Sequence, residues 1–321
     1  MKNALKYVIS FVLAFGLIFW VYKDQDLGLL WRETLSMNLW WLGLSYFAAF
    51  AAHWIRGARW VLLAENIEHK VNNLSSFYSV MLGYAINLVI PRGGELARCG
   101  YLQKEEKIPF SKTLGTVVIE RMVDFVVMGL FVFFSLFLEY DKILSFINQN
   151  KSNQDNEGNF LIWILMVLML IFFVVFYFLR KRIFQNTFVK NLIEGLLSIT
   201  KQKRPFLFVI YSLGIWFFYY MMMFFALKAY PATAHLSPSI ALAILMISTL
   251  GMIVPVPGGT GAYHYLVTKG LIAYGIIEIN ATTFAAVSHA LQVFEILSLF
   301  LTCQIFVGLI KNKPIIANHS H

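Results

Sequence analysis

The chain has 321 residues, of which 59% are hydrophobic and 13% charged, with a mean hydropathy of +0.68 and a formal net charge of +9. Apolar stretches long enough to cross a bilayer recur along its length, which excludes an ordinary soluble domain and makes an all-α polytopic membrane protein the expected class. The positive charge is assigned to cytoplasmic loops rather than to nucleic-acid binding, and two cysteines, Cys99 and Cys303, without a CxxC or a His/Cys cluster, exclude a disulfide framework and a zinc-finger site.

The apolar segments fall at about 5–22, 39–64, 74–90, 113–138, 160–179, 206–228, 239–254 and 281–310, with shorter apolar stretches at 262–277. The first of these lacks a small-residue cleavage site, since Trp20-Val21-Tyr22-Lys23 follows it, so it reads as a retained helix. The run 147–159 is a polar loop. Over 183–199, Ile183, Phe184, Phe188, Leu192, Leu196 and Ile199 recur at roughly helical spacing among Lys190 and Glu194, as expected of a helix lying in the interface.

Basic residues set the orientation. Arg180-Lys181-Arg182 through Arg204 marks 180–204 as cytoplasmic, and Lys2, Lys6, Lys311 and Lys313 place both termini inside. The loops 139–159 and 229–237 carry few basic residues and fall outside. On this parity 74–90 enters and leaves on the inner face, and 239–277 enters and leaves on the outer face. The expected architecture is therefore a single transmembrane domain, 1–321, with six spanning helices and two re-entrant helical hairpins. Segments 39–64, 74–90 and 113–138 recur as 206–228, 239–254 and 281–310 at offsets near 167, 165 and 168, and Gly93-Gly94 aligns with Gly258-Gly259. The orientations are opposite, so the two units (about 39–138 and 206–310) form an inverted repeat of the kind used in alternating access.

Two proline–diglycine breaks mark the hairpins: Pro91-Arg92-Gly93-Gly94-Glu95-Leu96-Ala97-Arg98 and Pro255-Val256-Pro257-Gly258-Gly259-Thr260-Gly261. Broken helices at membrane depth are tolerated where they are buried in protein or line a polar cavity. At the first break a helix starting near Glu95 would aim free N–H groups at the turn, and Arg92 and Arg98 would add charge, which together suit an anion or phosphate. The structural alternative is that these arginines are ordinary inner-loop residues. Glu120, Arg121 and Asp124 lie early in the 113–138 span, with Glu120 and Asp124 on one face. They read as a headgroup or proton-relay cluster, or as a structural ion-pair network. Arg56 and Arg59 follow His53 on one flank, with Trp54 and Trp60 beside them; the alternative to headgroup binding is an interface anchor. At the second break Pro257, Gly258, Gly259 and Gly261 would leave a nest of free backbone groups. His264, His289, Gln292 and Glu295 are the polar residues near it and in the last span, and His264 and His289 are the candidates there. No HExxH, P-loop, GxSxG or Asp-rich metal motif occurs, so no cofactor or metal is expected.

Together, the Pro91–Arg98 motif, the Glu120-Arg121…Asp124 cluster, Arg59-Trp60 and the Pro255–Gly261 motif resemble the flippase-like membrane domain of the lysylphosphatidylglycerol synthases over about 5–310. The resemblance implies movement of a polar-headgroup lipid between leaflets of a bacterial inner membrane. In the synthases a soluble aminoacyl-transferase domain follows. This chain stops at His321, so synthesis of aminoacyl-lipid is not expected of it. Family members often carry Glu shortly after the second break, where Tyr263-His264 stands here, and Arg in the last span, where His289 and Gln292 stand. The reading is a lipid flippase or transporter for a phosphate-bearing headgroup, with a membrane phospholipid or lipid-linked substrate as ligand; a lipid synthase and a second copy of the chain are candidate partners. The alternative is a membrane-embedded transferase or accessory subunit using Glu120, Asp124 or His289 in acid–base chemistry.

Overall fold

The computed structural model describes residues 27–67, 69–139, 190, 197, 199 and 202–311. Among these, all regular structure is helical: α1 Leu27–Ser36, α2 Leu39–Asn66, α3 Asn73–Asn87, α4 Gly93–Glu105, α5 Phe110–Leu138, α6 Pro205–Ala229, α7 Pro238–Ile253, α8 Ala262–Ala273 and α9 Glu278–Lys311, with a short 3₁₀ turn at Pro257–Gly259. The all-α expectation holds. The segments at 5–22, 147–159 and 160–179, nearly all of 183–199, and both termini lie outside the described residues.

Local chemistry explains the starts. Asn38 caps α2 by accepting from the Trp40 and Trp41 amides, Asn72 caps α3, and Ser237 caps α7 ahead of Pro238. Length then sorts the helices into two kinds. At 1.5 Å per residue, α2, α5, α6 and α9, with 28, 29, 25 and 34 residues, are each long enough to cross a hydrocarbon core of roughly 30 Å. Helices α6 and α9 are also apolar enough throughout to qualify on composition alone, whereas α2 and α5 carry charged residues that meet one another. Helices α3, α4, α7 and α8, with 15, 13, 16 and 12 residues, are too short to cross singly.

The short helices come in packed pairs, α3 with α4 and α7 with α8. Each pair closes at a glycine. A Cβ on Gly94 would overlap the carbonyl oxygen of Gly83, and one on Gly251 would lie 2.8 Å from the Tyr263 Cα. Only bare backbone permits approaches this close. The diglycines themselves sit differently in the two units. Gly93 and Gly94 open α4, while Gly258 and Gly259 form the 3₁₀ turn, ahead of α8. Helix ends Asn87 and Ile253 are 166 positions apart and helix starts Gly93 and Ala262 are 169 apart, because the second break holds that extra turn.

The core divides along the same line. One apolar cluster, around Met223, Ile244, Tyr263, Val267 and Phe284, belongs mostly to α6–α9; another, around Trp60, Leu63, Val80, Leu102 and Val117, belongs mostly to α2–α5. The contact between α2 and α6 is the most extensive of any helix pair and joins the two. Phe125, Phe133, Phe137, Phe217 and Phe294 are exposed on the outside of the long helices, where lipid replaces protein as their apolar surroundings.

Candidate functional site

The functional candidates of the first half converge. Helix α2 presents His53, Arg56 and Arg59 at three-residue steps, hence on one flank. Glu120 and Asp124 come from one face of α5, and Arg98 from α4. Arg56 bridges both carboxylates from one nitrogen, 2.6 Å to Glu120 Oε1 and 2.7 Å to Asp124 Oδ2. Arg59 reaches Asp124 Oδ1 at 2.8 Å and donates to the Ser212 hydroxyl of α6 at 3.2 Å. Arg98 pairs with Glu120 Oε2 at 3.0 Å. Its guanidinium lies 4.0 Å from the centre of the Trp60 ring, and the Trp60 indole N–H is held by Thr116 at 2.9 Å. Gly83 leaves room for the Arg98 stem: a Cβ there would lie 2.7 Å from Arg98 Cγ.

Arg59 and Glu120 are fully buried, and Arg56, Arg98 and Asp124 nearly so. This overturns the interface-anchor alternative for Arg56, Arg59 and Trp60, and the loop-residue alternative for Arg98. Among the described residues, three arginines against two carboxylates leave one positive charge uncompensated, in a setting where charge is costly. Among the described residues, Nε of Arg56, Arg59 and Arg98 has no hydrogen-bond partner. At the rim, Arg121 is partly exposed and pairs with Glu95 at 3.2 Å, and it stands 4.0 Å from Asp124.

The backbone of the breaks differs from expectation. Gly93 N donates to Ile90 O and Gly94 N to Asn87 Oδ1 at 2.8 Å, so two of the amides expected to face an anion are already bonded within the turn. In the second break Gly259 N bonds Val256 O, Thr260 N bonds Pro257 O, and Gly261 N donates to His264 Nδ1 at 3.2 Å. That break is a closed turn rather than an open nest. Gly258 and Gly259 are buried, Pro257 partly buried and Gly261 exposed. His289 Nε2 lies 2.8 Å from Gly258 O, and the His264 and His289 rings are 4.7 Å apart. Both histidines therefore brace the second break.

The two breaks also touch. Arg92, exposed and at φ 63°, donates to Ile253 O at the end of α7 at 2.8 Å. A Cβ on Gly258 would lie 3.3 Å from the Leu88 side chain. The sequence candidates thus fall into a buried charged cluster with Glu95 and Arg121 at its rim, and the two breaks, joined to each other by Arg92. Sequence reasoning did not assign roles to Asn87, Tyr84, Tyr219 or Tyr263. The signals were faint: polar residues in apolar helices, with no charge and no motif.

Comparison with known proteins places the chain. The family model described as the lysylphosphatidylglycerol synthase TM region matches residues 7–299. The UPF0104 membrane protein MJ1595 of Methanocaldococcus jannaschii is 29% identical over 140 residues, which is 43% of this chain and 40% of that protein, so the match spans well under half of that relative. No solved structure matches the chain. With most of its length covered by the family model, and with the helical architecture described above, this chain is a membrane protein that belongs to the family of the lysylphosphatidylglycerol synthase transmembrane region.

Proposed function

We propose that the protein is a transporter that moves a lipid with a phosphate-bearing headgroup between the leaflets of a bacterial plasma membrane, with both termini cytoplasmic. The observation that carries this reading is the buried cluster of Arg56, Arg59 and Arg98 around Glu120 and Asp124, with its one surplus positive charge beside a helix break. A phosphate monoanion would neutralise that surplus, and guanidinium groups match its oxygens in bidentate geometry. Arg121 and Glu95, at the rim, are the first pair a headgroup would meet. Phosphate replaces Glu95 on Arg121 and then draws on the unbonded Nε donors inside.

The paired half-helices support two re-entrant hairpins, and their recurrence at 166 to 169 positions supports an inverted repeat. In this reading the Arg92–Ile253 tie and the Leu88–Gly258 contact are where one repeat rocks against the other. His289, Gly258, Gly259, Gly261 and Pro257 form the uncharged wall that the lipid passes.

The test is a sidedness assay in phosphatidylcholine vesicles doped with fluorescent phosphatidylglycerol and quenched from outside by dithionite. Wild-type protein should expose inner-leaflet label that protein-free vesicles keep. Arg98→Ala and Glu120→Ala should abolish that exposure at matched protein incorporation. Equal movement by both variants would overturn the site assignment. Lipid profiling of a deletion strain separates the transferase alternative: altered sidedness of unchanged lipids supports transport, and a new or missing lipid species supports an enzyme.

A further inference from the structure

Beyond the arginine cluster, the core of the described residues holds one more buried carboxylate, Glu295 of α9. It lines a cavity roughly the size of a water molecule, with Ser45 of α2, Met222 of α6, and Ser288 and Gln292 of α9. Among the described residues, Glu295 Oε1 has no hydrogen-bond partner. His53 Nε2 lies 3.6 Å from it, and His53 Nδ1 has no hydrogen-bond partner among the described residues either. A carboxylate at this depth is costly unless it gains a positive charge.

Several described groups surround this pair. Helix α2 brings His53 and, one turn further on, Arg56; α3 brings Tyr84 and α6 brings Tyr219. The His53 ring is 4.8 Å from the Tyr84 ring and 6.0 Å from that of Tyr219. The two tyrosine hydroxyls are 3.1 Å apart, and the Arg56 guanidinium lies 5.9 Å from the Tyr219 ring centre. Helix α8 contributes Tyr263, which accepts from Gln292 at 3.1 Å, and on α9 itself His289 faces Gly258. A series of contacts, two of them through ring faces, therefore runs from Glu295 through His53 and the tyrosines to Arg56 of the cluster.

We propose that Glu295, with His53, is the binding site of a monovalent cation, a proton or a sodium ion, and that its occupancy is coupled to occupancy of the arginine cluster. The coupling rests on the transport reading; the cation site does not. His53 and Arg56 sit one turn apart on the same helix, so any shift of α2 that admits phosphate to Arg56 also moves His53 against Glu295. By linkage each ligand then alters the affinity for the other. A lipid anion and a cation moving together carry less net charge across the low-dielectric core than the anion alone.

Two measurements on the full chain decide this. The first is binding without lipid movement. Difference infrared spectroscopy should show a protonated carboxylic acid in wild-type protein that disappears in Glu295→Gln; alternatively, sodium but not choline should raise the melting temperature of wild-type and not of Glu295→Gln. The first result makes the ligand a proton and the second makes it sodium. If wild-type protein shows neither the infrared band nor the sodium shift, the site is overturned. The second is transport in the doped phosphatidylcholine vesicles under an imposed pH or sodium gradient. Wild-type protein should build lipid asymmetry that follows the gradient. Glu295→Gln and His53→Gln should still move lipid but lose that asymmetry. Asymmetry retained in Glu295→Gln overturns the coupling. Wild-type protein that shows the infrared band or the sodium shift but moves no lipid under any gradient overturns the transport reading and leaves the cation site standing.

Discussion

At the first break the chain leaves α3 through a five-residue turn, and the helix that follows carries Glu95 to Arg121 and Arg98 to Glu120, both on α5. At the second it leaves α7 through a longer turn, and what holds the turn is a histidine on a backbone carbonyl, His289 to Gly258 O, and an exposed arginine from the other break, Arg92 to Ile253 O. The backbone plan is shared: a half-helix, a turn with positive φ just before the next helix, and a glycine that lets the pair close. The chemistry is divided. One unit concentrates five buried charges, and the other places only neutral groups at its turn. Two breaks with similar backbones thus carry different side-chain chemistry.

The sharpest way to break this contrast is to remove charge from the first half. Glu120→Ala leaves three buried arginines facing one carboxylate, and should destabilise the protein by about 3–5 kcal/mol in a reversible unfolding titration. Adding Arg98→Ala should cost less than the sum of the single changes, since both remove the same interaction. Strict additivity would show that the cluster is not one unit. Next in size is the closing glycine of the hairpin. Gly94→Ala puts a methyl group into the Gly83 carbonyl, and overpacking of this kind costs about 1–3 kcal/mol. The unfolding midpoint should fall in proportion, and Gly251→Ala should repeat the effect in the other half if the two hairpins are equivalent.

Smaller effects should mark the second break. His289→Ala leaves the buried Gly258 carbonyl without its partner, a loss of about 1–3 kcal/mol before any cavity cost, and His289→Gln should recover part of it. A loss as large as that from Glu120→Ala would mean the halves are energetically alike after all. Last, Arg92 holds a left-handed conformation that disfavours side chains by about 1–2 kcal/mol. Arg92→Gly should therefore be more stable than Arg92→Ala although both lose the tie to Ile253. Identical stabilities would show that the turn does not require positive φ.

Much of the frame was legible from residues alone. The starts of α3, α6 and α7 fall within a residue of the apolar segments predicted for them, because burial in lipid imposes long uninterrupted apolar runs that few other structures need. Glu120 and Asp124 were legible as one face because four residues make about one helical turn. The destination of Arg56 and Arg59 was not legible. An arginine near tryptophan at a helix end has the same local pattern whether it anchors at an interface or pairs inside the bundle; only the packing of α2 on α5 and α6 distinguishes them. The breaks misled for a related reason. Glycine and proline signal a turn, but whether the amides of that turn are free depends on neighbours such as Asn87 and His264.

What the sequence determined by itself is therefore the class and the positions of the helix breaks, set by hydropathy, helical period and backbone chemistry, which act over a few turns. What only the tertiary structure decided is that Arg56, Arg59, Arg98, Glu120 and Asp124 form one buried cluster, that the two breaks touch through Arg92 and Leu88, and that Glu295 stands apart beside His53. The helices concerned are far apart in the chain, and a charge buried in lipid can be tolerated only by partners whose positions the packing of whole helices fixes.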